Sequence, residues 1–188
     1  MTSPLRTPPA TTWLLLSLLA VPLAGRSAAA EGGYKPCSIL TPAEVEASLG
    51  VKPSAPNEAD APYKKGNVHD HDGVLSSCSW TAPERTLLLA VSSAAVTPEG
   101  KAKGKKAKKD SEAALEKQGI QVERKAWGTL ECTFIRPPKG KPIPHGTTCS
   151  GEKGKSVYFL SVSSKPDQTP IPMEKLKALA EKAAARLP

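Results

Sequence analysis

Val74, Cys78 and Trp80 in Val74–Trp80, and Tyr158, Leu160 and Val162 in S-V-Y-F-L-S-V-S-S at Ser156–Ser164, fall on alternate positions, the spacing of half-buried strands. Arg85–Val96 carries T-L-L-L-A-V-S-S-A-A-V after a turn at Thr81–Glu84 and reads as a third strand. Ile120–Ala126, Gly128–Ile135 and the short Thr147–Ser150 add three more, with a loop over Pro137–Gly146 and a turn at Gly151–Gly154. The period changes at the end of the chain, where Met173, Leu176, Leu179, Ala180, Ala183 and Leu187 share one face of a predicted helix, Met173–Leu187. Near residue 41 the signals for a short helix are complete: Thr41 as cap, Pro42 at the first helical position, Glu44 closing a capping box and Gly50 as the stop. Leu40, Val45 and Leu49 give that helix a docking face. Another helix is expected at Glu112–Gln118, capped by Asp110 or Ser111 and ended by Gly119. Residues 51–73 are polar and rich in Pro, Asn, Asp and Lys, so the expectation there is a loop. Strands joined by short turns favour a mostly antiparallel sheet with flanking helices packed on one face, an α+β domain.

The most hydrophobic stretch does not belong to this pattern. Trp13–Leu23 is an apolar run preceded by Arg6 and followed by Ser27-Ala28-Ala29-Ala30, the layout of a secretory signal peptide over residues 1–30. The run is shorter than the roughly 20 residues that span a bilayer, and no other segment approaches that length. The remaining residues, 31–188, are expected to form one domain, secreted or periplasmic. Removing residues 1–30 takes away Arg6 and Arg26 and no acidic residue, which lowers the formal charge from +8 to +6.

Export changes what the four cysteines mean. In an oxidising compartment Cys37, Cys78, Cys132 and Cys149 read as two disulfides, with three pairings possible. Cys132 and Cys149 sit on neighbouring predicted strands, and pairing Cys37 with Cys78 ties the first helix to the sheet, so these local pairings are preferred to the crossed ones. The chain has 19 Pro but only three Trp, three Tyr and two Phe, a composition that suits a small core needing covalent support. No C-x-x-C, G-x-S-x-G, P-loop or dinucleotide fingerprint occurs, and no cofactor is implied.

The segment C-S-I-L-T-P-A-E-V-x-x-x-L-G, followed by C-S-W on a strand, resembles a group of small exported bacterial domains of unknown function. Their best-known relatives are actinobacterial lipoproteins that open on a Cys-x-Leu-Leu-Thr helix. Cys37, Leu40, Thr41, Glu44, Leu49, Gly50, Cys78 and Trp80 carry the resemblance. It implies an antiparallel sheet flanked by helices, similar to PsbP-like domains, and brings no agreed activity. Here Cys37 follows Tyr34-Lys35-Pro36, without the Leu-x-small pattern that lipid attachment requires, so lipid tethering does not carry over.

Three features bear on function. Lys101, Lys103, Lys105, Lys106, Lys108 and Lys109 place six ammonium groups in nine residues, which predicts an extended, solvated loop and a candidate contact for anionic surfaces. Nucleic acid is disfavoured as the partner because no aromatic residue lies between Val96 and Ala126 to stack on bases. His69-Asp70-His71-Asp72 offers imidazoles and carboxylates as weak metal-ligand candidates, the basis of an alternative reading as a metal-dependent hydrolase. Trp80, Trp127, Tyr158 and Phe159 either line a ligand groove or fill the core. Taken together these favour an exported, non-catalytic binding or structural domain of the cell envelope, with an envelope component or small ligand as partner. Anionic-surface binding through Lys101–Lys109 is the alternative that rests on charge.

Overall fold

Alternation along the central strands gives the sheet one apolar, buried face and one more polar, partly exposed face. The computed structural model describes residues 34–66, 69, 71–92, 96–138 and 140–187. Residues 1–30, expected to be a signal peptide, therefore lie outside the described residues. In chain order the elements are α1 (Pro36–Ile39), α2 (Pro42–Leu49), β1 (Asn57–Tyr63), β2 (Gly73–Ala82), β3 (Arg85–Ser92) and α3 (Pro98–Lys117). β4 (Gln121–Trp127), β5 (Leu130–Arg136), β6 (His145–Lys153), β7 (Ser156–Ser164) and α4 (Met173–Arg186) follow. The strands form one sheet in the order β1-β2-β3-β7-β6-β5-β4, with every neighbouring pair antiparallel. After β3 the chain passes through α3 to the far edge and returns by three hairpins, so β7 closes against β3. The architecture is α+β, as the strand and helix periods predict.

On the inner face the register sets Trp80 beside Leu87, Cys78 beside Leu89, and Leu89 beside Leu160. α4 closes this layer with Leu176, Leu179, Ala180 and Ala183, all buried, while α2 adds Val45 and Leu49. Each fully buried Leu or Val contributes roughly 1.5–3 kcal/mol, so this layer supplies the main driving force. Both expected disulfides lie here. Cys37–Cys78 joins α1 to β2 with 5.0 Å between Cα atoms, and Cys132–Cys149 links directly opposed residues of β5 and β6 with 4.0 Å. Arg85 reaches from β3 to donate to the Leu49 carbonyl that ends α2 and, at 2.8 Å, to the Thr169 carbonyl before α4.

The ends of α2 and α4 are coupled by charge. Thr41 N–H donates to Glu44 Oε2 (2.9 Å) and Glu44 N–H to Thr41 Oγ1 (3.3 Å), completing the predicted capping box. Arg186 at the end of α4 then grips the same carboxylate with both terminal nitrogens, at 2.7 and 2.9 Å. These donors, Arg186 first and the Thr41 N–H second, hold the Glu44 carboxyl down to about 2 from its ordinary 4.5.

Four expectations need correction. Residues 57–63 are the edge strand β1, not loop: β1 is solvated on both faces, so it shows no alternation, and its Pro62 is tolerated at an edge. β6 runs over 145–153 instead of 147–150, because its inward residues His145, Thr147, Cys149 and Gly151 look polar in sequence yet are buried. Gly151 is required there, since a Cβ would collide with the Tyr158 ring. The Lys-rich segment is helical from Pro98, and that helix, α3, lies on the opposite face of the sheet from α2 and α4.

Candidate anion-binding surface

Alanine, lysine and glutamate are strong helix formers, and a good cap lets the segment start early. Thr97 Oγ1 accepts from Gly100 N–H at 2.9 Å, Pro98 occupies the first turn, and Glu99 pairs with Lys103 at 2.9 Å one turn later. Repulsion between neighbouring ammonium groups costs only about 0.2–0.5 kcal/mol per pair, so propensity and carboxylate partners prevail over the expected extended loop.

Two of the six clustered lysines then dock the helix on the sheet. At 100° per residue, Lys101, Lys105, Lys108 and Glu112 form one stripe, and this stripe faces the sheet. Lys101 pairs with Glu152 of β6 (2.8 Å), Lys108 with Glu131 of β5, and Glu112 with Arg124 of β4. Glu131, Glu152 and Arg124 alternate with the inward residues of their strands, which fixes them on the outer face. Only Gly100 and Glu112 of the helix are buried. α3 is thus held to the sheet mainly by ionic contacts.

Lys105, Lys106 and Lys109 have no carboxylate partner among the described residues. Lys105 and Lys109 line a cleft of about 540 Å³ between α3 and the sheet, opposite Arg124 and beside Glu112, Glu116 and Glu131, while Lys106 is exposed outside it. Lys153 and Lys155, both exposed, flank the β6–β7 turn that Glu152 brings up to α3. The candidate cluster of Lys101–Lys109 is therefore divided between lysines that anchor the helix and lysines free to meet an external anion. What sequence reasoning missed was the set of strand carboxylates, whose signal was their position one residue from a core cysteine or glycine.

The His-Asp tetrad behaves differently. His69 stacks on Tyr63 with ring centroids 4.0 Å apart and pairs with Val96 in an isolated bridge. Asp72 is held by Lys64 Nζ (2.8 Å) and Lys65 N–H (2.7 Å), with His71 close enough to favour its ionised form, and Asp70 is not among the described residues. The third histidine, His145, is buried on the inner face against the Gln168 carbonyl. Among the described residues no group of three or more His, Cys, Asp and Glu is placed to hold a metal ion. Nor is any described helix long and apolar enough to cross a membrane.

The aromatic residues do not converge on a groove. Trp80 and Tyr158 are core, Trp127 packs at its margin with Lys177 5.7 Å above the ring, and Phe159 points to the outer face. Comparison with family models, curated proteins and solved structures found no match to the chain.

Proposed function

We propose that this protein is an exported, non-catalytic binding domain of the cell envelope, of the kind its Cys37–Gly50 segment resembles, and that it meets an anionic partner through α3. The observation that carries the reading is the set of lysines without a carboxylate partner among the described residues, Lys105, Lys106 and Lys109, on a helix that three ion pairs tie to the sheet. Two disulfides support the oxidising compartment that export supplies. A lysine near an anionic surface contributes about 1 kcal/mol, so three together weaken or strengthen binding about a hundredfold.

The test is sedimentation with phosphatidylglycerol-containing vesicles against the variant Lys105→Gln/Lys106→Gln/Lys109→Gln. The wild type is expected to bind, to release as salt rises, and to lose about a hundredfold in affinity in the variant. Absence of wild-type binding, or equal binding by the variant, overturns the reading.

A further inference from the structure

The outer face beside α3 is unusual for a solvated sheet. Its positions on β2, β3 and β7 are Leu75, Ser77, Ser79 and Thr81, then Thr86, Leu88, Ala90 and Ser92, then Val157, Phe159, Ser161 and Ser163, of which Ala90 and Ser92 are buried and Ser92 is bonded to Tyr63. None is charged, in a chain of which 23% is charged. Ser77 donates to the Ala59 carbonyl and Ser161 shares a hydrogen bond with Thr148 at 2.9 Å, whereas Ser79, Thr86, Ser150 and Ser163 make no side-chain bond to another described residue. Phe159 and Leu88 are the large apolar side chains at its centre, and both are half-buried.

Size and chemistry narrow the occupant. Three strands at about 4.8 Å spacing and seven residues at about 3.3 Å give an area of roughly 330 Å². A stable protein interface needs about 800 Å² from each partner, so a second copy of the chain is poorly served. An anionic lipid surface would use the lysines and leave the hydroxyls idle. A ligand that matches both is a narrow polymer with hydroxyl groups, apolar ring faces and negative charges.

We infer that an acidic polysaccharide lies along this face, its sugar hydroxyls on the free Ser and Thr groups and a ring on Phe159. Its carboxylates or phosphates reach Lys105, Lys109 and the β6–β7 turn, where Lys101–Glu152 brings helix and sheet together. This rests on the proposed anionic contact of α3 and adds the chemical class of the partner.

Binding of the purified, disulfide-bonded protein to polygalacturonate, to neutral dextran and to phosphatidylglycerol vesicles separates the two claims. The face variant is Phe159→Ala/Ser161→Ala/Ser163→Ala, and the lysine variant is the triple Gln substitution. The expected result is polygalacturonate binding that falls about tenfold in each variant, with weaker dextran binding and vesicle binding lost only in the lysine variant. A thermal unfolding transition like that of the wild type reports that the face variant is folded. If the face variant binds polygalacturonate as the wild type does, or if vesicles bind and polygalacturonate does not, the polysaccharide assignment is overturned and the α3 contact stands. If the wild type binds neither probe, both fail.

Discussion

On the inner face of the sheet Leu89, Leu160 and Leu176 are fully buried and two disulfides tie strands and helix together. On the outer face α3 is tied to Glu131, Glu152 and Arg124 by ion pairs, and Ile120, bonded to the Leu115 carbonyl at its C-terminal end, is buried outside the main core cluster. One layer is held by water exclusion and covalent bonds, which charge screening does not weaken; the other by exposed charges that salt screens. The difference separates tasks. Stability resides where nothing needs to bind, and the loosely held layer keeps its lysines and hydroxyls accessible.

Breaking the inner layer has the largest effect. The Cys37–Cys78 bridge closes 41 residues and Cys132–Cys149 closes 17, so chain entropy assigns them about 4 and about 3 kcal/mol respectively. Replacing Cys37 and Cys78 by Ser is expected to lower the unfolding free energy by the larger amount in denaturant titration. Equal losses for the two pairs would show that loop length is not what counts here.

Breaking the seam between α2 and α4 costs less and depends on pH. Glu44→Ala removes the cap acceptor and leaves Arg186 without its carboxylate, an expected loss of about 1–2 kcal/mol near neutral pH. Because the folded carboxyl is held at about 2 against an ordinary 4.5, its stabilisation is present above 4.5 and disappears as pH falls toward 2. The wild type and the variant should therefore converge in stability on acidification, measured by thermal unfolding across that range. Parallel curves would remove Glu44 from the account.

Breaking the outer layer should scarcely affect the fold. Lys108→Gln removes an ion pair whose side chains are 40% and 43% exposed, and is expected to cost under 1 kcal/mol. Its signature is local: faster amide exchange in α3, with α4 unchanged. A loss matching the disulfide variants would mean that α3 belongs to the core after all.

Much of the inner layer was legible in the sequence, because each of its signals is local. The T-P-A-E capping box, the spacing of Leu176 and Leu179, and the alternation around Cys78 and Leu160 each need only a few neighbouring residues. The outer layer was not, because its determinants are distant in sequence. Lys101 and Glu152, or Glu112 and Arg124, become partners only once β4–β7 have wound back to β3. Without those carboxylates the Lys run looks self-repelling, and a polar edge strand such as β1 has no apolar period to announce it.

Hydrogen exchange of the protein with and without polygalacturonate tests the central claim most directly. The account predicts new protection in α3 and in the amides of β6 and β7 around Ser150 and Phe159, with α2 and α4 unchanged. Protection confined to α2 and α4, or no protection in α3, would contradict it.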